Sequence, residues 1–482
     1  MFPPMIVWIP AARFPSTLRE RTVIPRTIPK FRAIRYPGNS FAVVTIELST
    51  RPVMMFSLFS RCLPARFYLA TCCSRQPFRL LCSTCVETLF EFLAILQIAS
   101  GLFLLWQGIQ WLAYVRRRLH TDPGFYAPRT AVLCPCRGME PGLERNLVSL
   151  TEFAHQNFEL FFILASENDP AYSLVKRVAA SSRVKAHVVI AGKPASSSEK
   201  VNNLRVAIEQ LPPDFEVLVF VDSDGRPGKT WLHHIVAPLA DSRIGATTTM
   251  RWFIPNNNSL PNVLLAAWNA SVVTMLGGHE RNFCWGGGTA IRRALFEEMG
   301  MLDVWQNSFS DDYSLTIAIE RTRRQIVFLP ECLTPSYVQT DFPSLLEFTN
   351  RQIKITRIYR PKMWATAFAT HFLFCFALLL GLAVALDLTV ESRPSSQVIT
   401  LFVLPLLLSA FRGALRVIGV TEALPSARSE IMAQSWIYIV VTLLVPFLYL
   451  LNFFASLFGR RITWRGIQYE IVSPNQTRVL TP

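Results

Sequence analysis

The chain has 482 residues, 51% of them apolar and only 17% charged, with a mean hydropathy of +0.30. This excludes an ordinary soluble globule, yet a polar stretch covering 131–359 remains, so the composition implies one polar domain on a membrane anchor. The net charge of +15, from 48 Lys+Arg against 33 Asp+Glu, suits an anionic lipid surface or an anionic small molecule. The basic residues gather beside apolar spans and no nucleic-acid motif is legible, so nucleic acid is not an expected partner.

Residues 1–80 are rich in Pro and Arg, poor in acids and without sustained periodicity. They read as a targeting segment, a disordered extension or a start placed too far upstream, with Met54 and Met55 as alternative initiators. A transmembrane helix is expected over 86–116, because 92–115 carries no charge and closes on Arg116-Arg117-Arg118. The arginines place that end of the span in the cytosol.

Over 130–360, apolar runs at 131–134, 160–165, 186–191 and 217–221 alternate with helix-like stretches at 143–155, 171–180 and 198–211. That alternation predicts an α/β doubly wound parallel sheet, whose ligands gather at the carboxyl ends of the strands. The region 363–459 holds three further apolar segments, at 363–386, 398–420 and 431–459. Three complete crossings would put Arg460, Arg461 and Arg465 of the 460–482 tail outside, against the positive-inside rule. Pro446 therefore predicts a break that turns the last segment into a re-entrant hairpin. Cys82-x-x-Cys85 has zinc-like spacing but neither a second pair nor an adjacent His, so free thiols in a reducing cytosol are expected.

Three acidic clusters fall inside the polar domain. Asn168-Asp169-Pro170 follows the second apolar run, and alone it reads as a turn or a helix N-cap. Asp222-Ser223-Asp224-Gly225 follows the fourth. An isolated Asp-x-Asp is commonly a surface turn, but a buried strand delivering two carboxylates, i and i+2, to one side points to a metal and a nucleotide ribose. Asp311-Asp312 opens a helix-like run, where two acids can simply complement the helix dipole or supply a general base. Lys200-Val201-Asn202-Asn203 starts another helix and would bring a cation and amides towards a nucleotide; alone it is a solvated helix start.

Taken in order, Pro135-Cys136-Arg137-Gly138 with Glu140 and Asn146, Asp169, Lys200-Val201-Asn202-Asn203, Asp222-Ser223-Asp224, Gly286-Gly287-Gly288, Asp311-Asp312 and Trp464-Arg465-Gly466 resemble the ceramide glucosyltransferases and their bacterial relatives. Those are inverting GT-A glycosyltransferases, and the resemblance covers roughly 131–472. It implies a GT-A cytosolic domain between N- and C-terminal transmembrane helices, in a multi-pass integral membrane protein. It further implies transfer of a hexose, glucose first, from a UDP-sugar to a lipid hydroxyl, ceramide first. Asp169 would hold the uracil and ribose end, Asp222 the nucleotide, and Asp224 an Mg²⁺ or Mn²⁺ ion. Arg137 and Lys200, with Asn203 beside them, would complete the donor site. Asp312 would be the general base, with Asp311 the alternative.

The family's Arg/Gln-x-x-Arg-Trp motif falls at Arg351-Gln352-Ile353-Lys354-Ile355, where Lys replaces Arg and Ile replaces Trp. Arg351 and Lys354 are acceptor-side candidates, and His279, near the glycine turn, is another. A hopanoid, diacylglycerol or polysaccharide acceptor is the alternative within the same chemistry, and a silent membrane scaffold of the same fold is the alternative outside it.

Overall fold

The structure is a computed structural model that describes residues 76–390 and 395–481, together with two short strands further upstream. Those strands, β1 (Arg32–Ile34) and β2 (Val43–Thr45), form an antiparallel pair. They belong with the start of the first helix to a unit, Ile6–Thr88, that is separate from the body of the chain. The rest of the 1–80 extension lies outside the described residues.

The centre of the main unit is a seven-stranded sheet built from β3 (Thr130–Pro135), β4 (Phe158–Leu164), β5 (Ala186–Ile190), β6 (Val217–Val221), β7 (Ile244–Thr248), β9 (Gly288–Arg292) and β10 (Gln325–Phe328). Its spatial order is β10-β7-β9-β6-β3-β4-β5. Every residue of β6 is buried, as expected of a central strand covered on both faces.

Alternation along the strands divides the interior into two cores. Val132, Leu160, Phe162, Val217 and Val219 pack on one face against the helices Leu143–Thr151, Tyr172–Ser181 and Trp231–Val236. Leu133, Phe161, Ile163, Leu218 and Phe220 pack on the other against Glu199–Glu209, Met301–Gln306 and Asp311–Arg321.

The sheet departs from the expected parallel pattern at one strand. β9 runs antiparallel to both β6 and β7, whereas the other four pairings are parallel. The reversal has a functional consequence, because it brings the start of β9 beside the carboxyl end of β6, pairing Gly288 with Val221. The glycine turn is thereby set against Asp222.

Two smaller layers flank the sheet. β8 (Arg251–Pro255) pairs in parallel with β11 (Thr334–Val338). At the C-terminus, β12 (Arg461–Trp464), β13 (Ile467–Ser473) and β14 (Gln476–Thr481) form an antiparallel meander. Its first turn is two residues long, and Arg465 and Gly466 both take positive φ, at 49° and 82°.

Among the described residues three helices are long and apolar enough to cross a membrane: Cys85–Leu119, Pro361–Leu388 and Ser396–Ala423. The last apolar segment is broken. Ser435–Leu443 and Val445–Leu457 meet at a bend of 59°, next to Pro446, which lacks the amide proton a continuous helix needs. An apolar helix, Leu260–Val272, joins the spans to the domain through a core that includes Trp111, Val115, Trp252, Trp268, Val420 and Tyr438.

Candidate active site

The site lies where the carboxyl ends of β3, β4 and β6 meet the start of β9, as the crevice rule for open α/β sheets requires. The loop leaving β3 turns at Gly138, whose φ is 64° and whose amide donates to Asp169 Oδ1 at 2.8 Å. The same oxygen accepts from the Ala171 amide at 2.8 Å, so Asp169 fastens the β3 and β4 loops together.

Lys200 occupies the middle. Its ammonium is 2.8 Å from Asp222 Oδ1 and 3.1 Å from Asp311 Oδ2, and it donates to the Gly286 carbonyl at 3.0 Å. Burial works against its charge, but Asp222 and Asp311 outweigh that and raise its pKa. For Asp222, burial favours the neutral acid, and the cations Lys200 and Arg251 reverse the balance and lower the pKa. These opposed charges hold one another ionised in a desolvated cleft.

Glycine is required on the adjoining turn. A Cβ on Gly287 would stand 2.5 Å from Asp222 Oδ2, and one on Gly286 would stand 2.7 Å from Lys200 Nζ. Gly287→Ala is expected to lower turnover about tenfold or more, in line with the roughly 1–3 kcal/mol that an unaccommodated methyl costs. A steady-state assay at saturating substrates checks this; unchanged turnover would mean that Asp222 can shift without consequence.

Asp312 lies one turn away at the start of its helix. It accepts from the Tyr313 amide at 2.7 Å and from the Ser310 hydroxyl, and Ser310 also caps the helix by accepting from the Tyr313 amide at 3.1 Å. Burial first, then the neighbouring Asp311 carboxylate, pushes its pKa up to about 6. The loop in front of it is held from the membrane side, because the Tyr359 hydroxyl accepts from the Phe309 and Ser310 amides at 3.1 and 3.2 Å.

Several partners were not legible in the sequence. Arg251, the first residue of β8, is buried and ion-paired with both Asp222 and Asp224. The only sequence signal for it is one arginine at the head of an apolar run. Arg137 pairs with Glu199 at 2.5 Å and donates to the Arg465 carbonyl at 2.8 Å. Arg465 in return pairs with Glu140, so the C-terminal hairpin is clasped onto the β3 loop. Burial, reinforced by Asp224, raises the pKa of Glu140.

One cavity of about 1230 Å³ contains these groups. Arg137, Lys200, Asn203, Asp222, Asp224, Asp311, Asp312 and Arg351 all line it. Asn203 is 2% exposed, and its Oδ1 has no hydrogen-bond partner among the described residues; the same is true of Arg251 Nε. Three expected residues do not line it: Lys354, His279 and Asp169, whose Oδ1 is taken up by the Gly138 and Ala171 amides. Lys354 instead donates to the Arg461 carbonyl at 3.1 Å, fastening its helix to β12. His279 sits on an exposed turn, where its ring accepts from the Arg281 amide at 3.2 Å.

Arg351 finds its aromatic partner on the C-terminal meander. The Arg351 guanidinium stacks on Trp464 of β12, 5.1 Å from the ring centroid, and burial pulls its pKa down to about 10. Ile355 packs with Phe309, Tyr359, Ile462, Tyr469 and Ile471 beneath the C-terminal meander. Restoring the motif by Ile355→Trp is therefore expected to overfill this cluster and destabilise the protein by about 1–3 kcal/mol. Thermal unfolding in detergent would show it, and a raised midpoint would mean that the cluster has room for an indole.

The sequence profile of glycosyl transferase family 21 matches residues 88–477, about four fifths of the chain. The chain belongs to glycosyl transferase family 21. Within family 21 it is a glycosyltransferase, and its mixed sheet is the GT-A catalytic domain. It is 27% identical over 183 residues to ceramide glucosyltransferase 1 of Caenorhabditis elegans. That alignment spans about a third of each protein, 36% in both cases.

Among solved structures, this family 21 chain is similar to a mannosyltransferase from Pyrobaculum calidifontis in complex with GDP-Man and Mn²⁺. The identity is 17%, the coverage 73% of this chain and 99% of the other, and the TM-score 0.38. It is also similar to glucosyl-3-phosphoglycerate synthase from Mycobacterium tuberculosis, at 15% identity over 49% of this chain and 85% of the other, with a TM-score of 0.32.

Proposed function

We propose that this family 21 enzyme transfers a hexose, glucose first, from a UDP-sugar to the primary hydroxyl of a membrane lipid, ceramide first. The observation that carries the reading is the lining of the cavity. It combines a charged cluster, Asp222, Asp224, Lys200 and Asp312, with an apolar set, Leu265, Trp268, Val272, Met275, Phe348 and Tyr449, in which Trp268 packs on Phe348 and Tyr449. One cavity with Asp312 in its wall therefore suits both a charged donor and an apolar chain.

In the proposed mechanism Asp312, ionised above its raised pKa, takes the proton of the acceptor hydroxyl. The oxygen then attacks the anomeric carbon from the face opposite UDP, the bond to the diphosphate breaks, and configuration inverts without a covalent enzyme intermediate. Asn203 and Arg137 orient the nucleotide, while Lys200 bridges Asp222 and Asp311.

The donor set suits a divalent cation. Among the described residues no three His, Cys, Asp or Glu side chains form a metal-binding group, but Mg²⁺ and Mn²⁺ sites commonly use one or two carboxylates, with phosphate and water oxygens completing the shell. Asp224, with Asp222 beside it, would hold the ion. When bound, it would neutralise charge on the departing diphosphate.

Two contacts support a multi-pass arrangement with the catalytic domain in the cytosol. Arg116, at the end of the first span, pairs with Glu422 at 2.8 Å, while Glu91 near its start accepts from Gln397 at 3.0 Å. The first and third long helices thus run parallel, and Arg116-Arg117-Arg118 sets the cytosolic side. The C-terminal meander clasps the catalytic site, so the bent pair between Ala423 and β12 leaves and re-enters on one side, as a re-entrant hairpin does.

The acceptor assignment is tested by Trp268→Ala. Loss of this buried wall is expected to raise KM for the lipid about tenfold and leave KM for the UDP-sugar unchanged, since a truncated aromatic contact is worth about 1–3 kcal/mol. An equal rise in both would place the acceptor elsewhere.

A further inference from the structure

A second, much smaller cavity, of about 20 Å³, lies between the helix Ser396–Ala423 and the bent pair, and Tyr449 lines both it and the large one. Arg412 and Arg416 both line it, one helical turn apart on one face. Ser271, Ser409, Thr442 and Tyr449 bring hydroxyls to it, and His371 a ring. No carboxylate lines it among the described residues.

Arg412 donates to the Thr274 hydroxyl at 3.0 Å. Arg416 is 2% exposed, and its Nε and Nη1 have no hydrogen-bond partner among the described residues. Guanidinium does not give up its proton in a protein, and a buried cation with unused donors in a membrane-spanning segment calls for a negative partner. Arg412, four residues earlier on the same helix, adds a second positive charge that repels Arg416.

The space selects the partner. A cavity of this size takes one water-sized particle, so a tetrahedral oxyanion or a lipid headgroup does not fit without displacing its walls. We propose that Arg416, with the surrounding hydroxyls, binds a single monatomic anion, a chloride-class ion, within the transmembrane region. The site does not depend on the sugar or lipid assigned above. It does adjoin the acceptor wall, since Tyr449 lines both cavities and its hydroxyl lies 2.9 Å from that of Ser271.

The test uses the full chain in detergent, prepared in gluconate and titrated with chloride, bromide or sulfate at constant ionic strength, with the unfolding midpoint as readout. A ligand that binds only the folded state raises that midpoint saturably. Chloride and bromide are expected to raise it by several degrees and sulfate to leave it flat, and in Arg416→Gln the halide response should vanish. Should Arg416→Gln not fold, the wild-type contrast between halides and sulfate decides alone. A response equal for all three anions, no response at all, or an unaltered halide response in Arg416→Gln would each overturn the site. If phosphatidylglycerol nanodiscs in chloride-free buffer give the full gain, the occupant is a lipid phosphate and the halide assignment falls.

Discussion

Asp312→Asn is expected to lower transfer about 10²–10⁴-fold, the usual contribution of a positioned general base, while leaving UDP affinity close to wild type. The amide keeps the size of the side chain and its contact with the Tyr313 amide but cannot take up a proton at neutral pH. The same carboxyl sets the pH dependence. Its pKa is held up to about 6, so the active, ionised form is lost as pH falls through that value. In the wild type kcat/KM should be level above about pH 7 and fall tenfold per unit well below 6. Isothermal titration with UDP and a pH–rate profile check both parts. Near wild-type turnover by Asp312→Asn would move the base to Asp311.

Lys200→Met should be the most damaging change to stability. It removes the one cation that bridges Asp222 and Asp311, leaving two carboxylates facing a desolvated cleft, with Arg251 at 3.5 Å from Asp222 the nearest remaining compensation. Breaking a buried pair by removing one partner costs about 3–5 kcal/mol. Donor binding should be lost with it. The defect should shrink as pH is lowered, because Lys200 helps hold the Asp222 carboxyl below its usual range, and the stability this gives the wild type is present at neutral pH and lost as Asp222 takes up a proton in acid. Thermal unfolding of the variant and wild type in one detergent, followed from neutral to acid pH, measures this. An unchanged midpoint at neutral pH would mean that Arg251 alone satisfies both acids.

Strands written as apolar runs were legible to within two residues at each end. β3, β4 and β6 fall on the runs that suggested them, because a strand buried on both faces leaves a nearly uninterrupted apolar signature, and the half-buried edge strand β5 falls on its run as well. β9 did not show itself: Gly288-Thr289-Ala290-Ile291-Arg292 is short, begins at a glycine turn and carries no sign of its direction. Direction is a property of the whole sheet rather than of five residues, and β9's reversal is what sets Gly287 against Asp222.

The site was legible in its acids and in Lys200 and Arg137, and illegible in Arg251 and in the clasps between distant loops. Asp-x-Asp after a strand is a local pattern, whereas the pairing of Arg251 with Asp224 joins positions 27 residues apart through tertiary packing alone. The clasp of Arg465 on the β3 loop spans 328 residues. Lys354 shows the opposite failure. Sequence order made it an acceptor-side cation, but at the third helical position after Arg351 its side chain reaches β12 instead of the cavity.

The central claim, that a hexose passes from a UDP-sugar to a lipid hydroxyl at Asp312, is tested most directly by mass spectrometry of the lipids. Membranes holding the wild-type chain or Asp312→Asn would be incubated with a panel of isotopically labelled UDP-hexoses and Mg²⁺ or Mn²⁺. The expected result is one new glycolipid, heavier by a single labelled hexose, strongest with UDP-glucose and ceramide, and missing from the Asp312→Asn membranes. Label that enters polysaccharide or soluble product and no lipid, or a glycolipid made equally by both proteins, would contradict it.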